Sequence, residues 1–309
     1  MVKPVPTAGR AHVRRASRSS AGDKVFNIVD SFLLFLFFVL CMYPFYYVLI
    51  YSLSNPQEAQ KGVYLIPAGF TLANYVQVFE LKGIFQSAMV SFLRTIGGTV
   101  ITVACSSFFA YLVTKQEMYL RKTIYRFLVV TMYFNSGLIP WYLTMKLYHL
   151  NNNFLLYIIP SALSAYYVVL LKTFIEQIPP SLEESAKLDG AGYFRIFCRI
   201  VFPLAGPILA TIAVFASVSQ WNNWFDNYIL VTNENLKTLQ LVLYEYLNQA
   251  SSIAQSTDIN DKARYATQQL TPQAIRMTIT MVVTLPILFV YPFLQKYFVK
   301  GIMLGAVKG

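Results

Sequence analysis

Three observations predict an all-α integral membrane protein with six transmembrane helices. Apolar side chains make up 56% of the 309 residues against 13% charged, too few charges to clothe a soluble body of that size. Six apolar runs fall at about 28–51, 86–113, 124–147, 154–175, 204–231 and 274–299, each near the roughly 20 residues needed to cross a bilayer. When the six runs alternate, most Lys and Arg gather on one side: the N-terminal tail, the 114–123 loop, the 176–203 segment and the C-terminal end. The positive-inside rule then puts both termini and residues 176–203 in the cytoplasm. The net charge of +11 thereby belongs to membrane topology and lipid contact, and no nucleic acid is implied as a partner.

Residues 1–27 are basic and Ser/Ala-rich without apolar periodicity, and read as a disordered cytoplasmic tail held near anionic headgroups. The first run is longer than a signal-peptide core and reads as an uncleaved anchor. It ends in Tyr43-Pro44-Phe45-Tyr46-Tyr47, an aromatic belt with a tolerated kink. An outer loop follows over 52–85. In the second run Arg94 stands about eight residues from the outer end, roughly 12 Å deep at helical rise. Two readings of it stand side by side: a cation facing a cavity, or one snorkelling to the outer surface. Gly97-Gly98 permits close helix approach. The third run carries Asn135, Ser136, Gly137, Pro140 and Trp141, which fits either a cavity-lining bend or a buried interhelical hydrogen bond. His149 reads as a surface group.

At the inner end of the fourth run, Lys172 and Glu176 are spaced to pair. Residues 179–203, PPSLEESAKLDGAGYFRIFCRIVFP, then form a polar turn between apolar runs. Pro179 and Pro180 stop the preceding run. Ser181 and Glu184 have capping-box spacing, a helix is expected over Leu182–Asp189, and Gly190 suits its left-handed C-terminal cap. A second helix is expected from Tyr193 to Phe202, stopping before Pro203. Its Tyr193, Ile196, Phe197 and Ile200 share one face, and Arg195 and Arg199 line another. Such a knob suits a groove on a partner protein or an amphipathic seat on the lipid surface.

Glu184-Ser185-Ala186, three residues, Gly190, nine residues and Ile200-x-Phe202-Pro203 resemble the EAA motif of ABC-importer permeases. Ser185 stands for Ala and Phe202 for Leu, both mild changes of size. The resemblance runs over nearly the whole chain, including the Gly-Ala-Val-Lys-Gly ending at 305–309. It is closest to the permeases of maltose-type (MalG-like) carbohydrate importers, and Leu72-x-Asn74-Tyr75 is similar to a segment of that family's first outer loop. The resemblance implies a type I importer fold in a bacterial cell membrane, whose 176–203 loop docks on a cytoplasmic ATPase through Glu184, Ser185, Ala186, Asp189, Gly190, Arg195 and Phe197. It also implies a second permease subunit, an ATPase dimer and an extracellular solute-binding protein as partners. The tail 300–309 would contact the ATPase pair.

The fifth run starts at Pro203 and carries Gln220, Trp221, Asn222, Asn223, Trp224 and Asp226 within seven residues. Indoles that stack on sugar rings, with amides and a carboxylate for hydroxyls, suit a ligand site. An aromatic belt with wetted amides suits the same residues. With Arg94, Asn135 and Trp141 they are the substrate-pathway candidates, and Arg94 would favour an acidic sugar. Residues 232–273 read as a long outer loop with a helix near Leu236–Tyr246, reaching by resemblance toward the binding protein.

No G-x-x-x-x-G-K-[ST] loop, histidine cluster or Ser/His/Asp set occurs. No catalytic residue, metal site or bound cofactor is therefore expected on this chain, and ATP and Mg would be used by the partner ATPase. The expected function is carbohydrate import driven by that ATPase, an oligosaccharide suiting the aromatic and amide content. An ion-coupled secondary transporter is the alternative, and would require deep acidic residues and a repeated half.

Overall fold

The computed structural model describes residues 21–134, 136–255 and 271–306. Among them the secondary structure is helical, apart from an isolated bridge between Ser54 and Phe70. Contacts divide the chain after Tyr47 into two units. The first is formed by most of α1 (Ala21–Ser52), whose side chains are exposed from Val25 to Tyr46 and apolar on all sides from Phe32 to Met42. The helix begins at Ala21, so residues 21–27 are helical where a tail was expected; residues 1–20 of that tail lie outside the described residues.

In the second unit, the segment expected as an outer loop carries two short helices, α2 (Pro56–Ala59) and α3 (Ala73–Glu80). Asn74 ties it together. Its buried amide donates to the carbonyls of Ser52 and Ser54, both at 2.8 Å, while the Tyr75 hydroxyl lies 2.8 Å from that of Ser52.

α4 (Ile84–Leu112) is the axis of this unit. Its buried stripe is made of small and polar residues, Ser87, Ser91, Arg94, Gly98, Thr102 and Ser106, whereas Phe85, Phe92, Leu93, Ile96 and Val100 are exposed. That is the pattern of a helix solvated by lipid, where apolar contact gains nothing over lipid tails and small residues let helices approach. α5 (Arg121–Thr131) and α6 (Leu138–Leu147) replace the expected third span. The run breaks between them, with Gly137 at φ +79°. The expected fourth span is likewise interrupted. A 3-10 turn at Phe154–Tyr157 precedes Pro160, which supplies no donor, and α7 (Ala165–Ile175) restarts after it.

α8 (Pro180–Leu188) and α9 (Tyr193–Ile196) form the polar turn, followed by a π-helical stretch over Phe197–Val201 and α10 (Phe202–Leu204). Pro203 does not end the second helix, as expected of it. The helix runs one residue past it, through the π-helical stretch to Leu204, and the chain then bends by 83° between 193–204 and α11 (Gly206–Asn222). α12 (Phe225–Leu230) follows a break at Asn223. Within the expected outer loop, residues 239–255 are helical: α13 (Leu239–Gln255) packs on α4 and on α14 (Pro272–Ala306), burying Leu239 and Leu241. Residues 256–270 and 307–309 are outside the described residues, and 300–306 of the expected tail continue α14.

Among the described residues three helices, α1, α4 and α14, are long and apolar enough to cross a membrane, and the bent pair 193–204 with 206–222 makes a fourth if taken together. The main core cluster lies toward the polar turn, where Tyr111, Val168, Leu171, Ile175, Ile196, Phe197, Val201 and Ile212 meet.

Candidate functional site

Two sites are built on α4, one at each end. The first forms where α4 meets the breaks near Pro160 and Asn223. Arg94 is 1% exposed and grips Asp226, Nη1 to Oδ1 at 3.0 Å and Nη2 to Oδ2 at 2.5 Å. Its Nη1 also donates to the Asn223 carbonyl at 2.9 Å and its Nε to Gln220 Oε1 at 3.1 Å. The guanidinium lies 4.5 Å from the centroid of the Tyr157 ring, and the Tyr157 hydroxyl donates to the Leu236 carbonyl. Asp226 completes its shell with donors from Asn223 Nδ2 and the Asn227 amide. A buried ion pair persists only when its remaining lone pairs and protons are satisfied, and here they are. The snorkelling reading of Arg94 is thus overturned. So is its service as a free cation for an acidic sugar, because its charge is neutralised by Asp226. Asp226 is itself buried.

A cavity of about 220 Å³ adjoins this pair, lined among others by Trp141, Tyr157, Ser161, Gln220 and Asn223. A second, of about 300 Å³, shares Pro160, Ser161, Ser219 and Gln220 with it and continues to Thr102 and Tyr167. Arg94, Trp141, Gln220, Asn223 and Asp226 are therefore brought together. The rest of the tryptophan-rich segment is dispersed: Trp221 follows Gln220 by about 100° on α11 and faces elsewhere, and the break at Asn223 puts Trp224 at the start of α12. Trp221 donates from its indole to the Val283 carbonyl at 3.1 Å and lines an apolar cavity with Phe92, Ile96 and Pro286. Trp224 is stacked on Tyr244, centroids 3.9 Å apart, so one of its faces is already covered. Asn222 is exposed beside a shallower apolar hollow. Asn135 lies outside the described residues. Sequence reasoning missed Tyr157, Ser161 and Ser219. The signal was Pro160-Ser161 inside the fourth apolar run, the same breaker-plus-hydroxyl pattern that marked the third.

The second site is the polar turn. α8 closes as a Schellman motif: the Gly190 amide donates to the Lys187 carbonyl at 3.0 Å and the Ala191 amide to the Ala186 carbonyl at 2.9 Å. Gly190 takes φ +78°, which explains a glycine four positions after Ala186. The expected capping box does not form. Pro179 is the N-cap residue, without a side-chain cap bond, and Ser181 falls inside the helix because Pro180 at its start needs no amide partner. Ser185 bonds back to the Ser181 carbonyl. Glu184, Ser185, Asp189, Gly190 and Arg195 are exposed, as is Leu188 at 90%, while Ala186 is half-buried. Phe197 departs from the expected docking surface. It is buried against Phe108, Tyr111 and Phe202, because the face it shares with Ile196 turns into the chain's own core. The knob thus presents the α8 tip, with Tyr193 and Phe194 exposed beside it.

Two ion pairs bind α8 to the turn after α4. Lys115 Nζ reaches Glu183 at 2.7 and 2.5 Å and lies 4.2 Å from the centroid of the Tyr111 ring. Lys187 Nζ donates to Glu117 at 2.8 Å, holding that carboxyl down at about 2 and raising its own ammonium. The expected Lys172–Glu176 pair is present at 2.7 Å. Among the described residues no group of three or more His, Cys, Asp or Glu is arranged to hold a metal ion.

A helical membrane body with interrupted spans, a polar cleft at the interruptions and an exposed helical tip defines a transport component. Residues 17–304 match the family described as binding-protein-dependent transport system inner membrane component, and the chain belongs to it. It is 36% identical to the polygalacturonan/rhamnogalacturonan transport system permease protein YtcP of Bacillus subtilis (strain 168), over 93% of this chain and 99% of that one. It is 32% identical to protein LplC of the same organism, over 97% of this chain and all of the relative. Among solved structures it is similar to a chain of a bacterial ABC transporter involved in the import of the acidic polysaccharide alginate, with TM-score 0.82 and 28% identity over 91% of this chain and 99% of that one. The fold is that of an ABC-importer permease, a non-catalytic subunit. The ion-coupled alternative finds no support in any of these.

Proposed function

We propose that this chain is one of two permease subunits of a bacterial importer that carries an oligosaccharide across the plasma membrane, using ATP hydrolysed with Mg by a partner ATPase pair. An extracellular solute-binding protein delivers the sugar. YtcP is named for polygalacturonan and rhamnogalacturonan transport and the solved transporter for import of the acidic polysaccharide alginate, which supports a carbohydrate cargo. In this reading the chain crosses six times, with both termini in the cytoplasm, and the third and fourth crossings are completed by the broken pairs around Gly137 and Pro160. Non-helical backbone at membrane depth is tolerated where it is buried or lines a cavity.

The observation that carries the reading is the exposed, glycine-capped tip of α8, bound by two ion pairs to the end of the helix that bears Arg94. Glu184, Ser185, Asp189, Gly190 and Arg195 would meet the ATPase there, with Ala186 and Phe197 holding the tip in place. Arg94, Trp141, Gln220, Asn223 and Asp226 would line or support the sugar path. Trp221, Trp224 and Asn222 would shape its surroundings, and Asn135 is retained as a candidate on its sequence position. The ATPase biases two arrangements of the spans by binding them unequally.

The test is co-purification followed by transport. The chain, expressed with its neighbouring subunits, should isolate with an ATPase pair and support sugar uptake into proteoliposomes only with ATP. Uptake by this chain alone on an ion gradient overturns the reading.

A further inference from the structure

Gln220 sits at the neck between the two cavities, and its amide orientation is dictated. Arginine has donors and no acceptor, so Arg94 Nε fixes Gln220 Oε1 toward itself at 3.1 Å. The amino group must then point the other way, and Nε2 donates to Ser161 Oγ at 2.6 Å. Ser161 spends its own proton on the Ile158 carbonyl at 3.1 Å, left free by the break around Pro160. The chain of donors therefore runs one way, from Arg94 through Gln220 and Ser161 to the Ile158 carbonyl. What remains for the cavities is the second N–H of Gln220 and a lone pair of Ser161: one donor and one acceptor, side by side.

Gly98 makes this possible. A Cβ there would fall well inside contact distance of Gln220 Nε2, Cδ and Cγ, so only glycine lets the side chain lie across α4. Gly98 is helical, without a positive φ, so the requirement is for space alone.

We propose that Gln220 and Ser161 form a hydroxyl-reading pair for a sugar ring passing between the two cavities, with Gly98 and Arg94 as positioning residues. A pyranose hydroxyl both donates and accepts, and fits such a pair. Arg94, neutralised by Asp226, contributes orientation rather than charge. The proposal rests on the carbohydrate reading above and assigns the recognising groups within it.

The experiment uses the complete importer in proteoliposomes and measures initial uptake against concentration for galacturonate trimer, mannuronate trimer and maltotriose. Gln220→Glu keeps an oxygen for Arg94 and removes the amide donor. Gly98→Ala leaves the amide chemistry intact and displaces it. For the sugar carried best by the parent importer, both variants should raise the apparent KM by about three- to tenfold more than they lower Vmax, the loss expected for one neutral hydrogen bond. Complex yield reports assembly. A purely structural Gln220 predicts a parental KM for Gln220→Glu, and that result overturns the proposal, as does a parental KM for Gly98→Ala. A change in Vmax alone, or loss of assembly in both variants, also overturns it by assigning the pair to packing. A parent importer that carries none of the three sugars sinks the carbohydrate reading, and this proposal with it.

Discussion

Reversing the charges of Lys115 and Glu183 tests whether the α8 tip moves α4. The two side chains are 14% and 15% exposed, and Lys115 also lies over the Tyr111 ring. Removing one member of a fully buried pair costs about 3–5 kcal/mol, and an exposed pair is worth about 0–1 kcal/mol. A polar cavity of about 250 Å³ lined by Thr114, Lys115 and Glu183 sits beside this pair, which admits water and places Lys115→Met between those limits, at about 2 kcal/mol. That corresponds to a shift of about thirtyfold in the equilibrium between attached and detached α8. Lys115→Glu or Glu183→Lys alone replaces attraction with repulsion and should cost more, whereas the double exchange restores the pair. The assay is sugar transported per ATP hydrolysed in the reconstituted importer. Each single reversal should lower that ratio several-fold with ATPase still assembled, and the double exchange should recover most of it. Unchanged ratios in the single variants, or a double exchange no better than either, would refute the link between α8 and α4.

Other expectations follow from single contacts. Asp226→Asn leaves the Arg94 charge buried without its counter-charge and should cost about 3–5 kcal/mol, read as lost detergent stability; Arg94→Met with Asp226→Leu should recover part of it. Trp221→Ala removes the bond to the Val283 carbonyl and the packing between α11 and α14, so assembly yield should fall before sugar affinity changes. Gly190→Val forces a β-branched residue to φ +78° and should weaken ATPase pull-down by about 1–3 kcal/mol, with Gly190→Asn much milder. The Glu117–Lys187 pair should be insensitive to pH in the physiological range. Its carboxyl falls from an ordinary 4.5 to about 2, so its contribution is present above 4.5 and lost only as pH drops through about 2. ATPase pull-down should thus be flat from pH 6 to 8, and Glu117→Gln should respond to pH no differently.

What the sequence made legible depended on which physical signal was being read. Gly190 and the helix before it were readable because a left-handed cap has one preferred residue. The spans α1, α4 and α14 were readable because length and apolarity suffice. The inward face of α4 was not, since in lipid the buried stripe is Ser, Gly and Thr rather than Leu and Phe, and hydropathy alone points the wrong way. Phe197 follows the ordinary rule instead: its apolar face seeks the chain's own core near Tyr111, and helical spacing alone does not tell a core from a partner's groove. Arg94 could be flagged by its depth, but its partner lies 132 residues away, a distance at which spacing carries no information. Within 220–226 the composition was legible and the faces were not, so Gln220 and Asn223 were found together with Trp221 and Trp224, which point elsewhere.

α4 is the element on which both sites depend. From Arg94 to Leu112 it runs about 27 Å at helical rise, with Lys115 three residues beyond. Its N-terminal half holds the Asp226 pair and the Gly98–Gln220 contact, and the turn after its C-terminal end binds α8 through Lys115–Glu183 and Glu117–Lys187. In lipid these polar contacts matter more than apolar packing in deciding which arrangement of spans is populated, because lipid tails satisfy apolar surface equally well in either. A tilt imposed at α8 would therefore act on the cleft chiefly by stretching or relieving the bonds of Arg94 and Gln220, and the two ends should respond jointly. Combining Glu183→Lys with Gln220→Glu should be non-additive in transport per ATP, since an uncoupled α4 no longer works against the neck. Strict additivity would mean that force reaches the cleft by another helix, with α11, through its 83° bend at the polar turn, the remaining route.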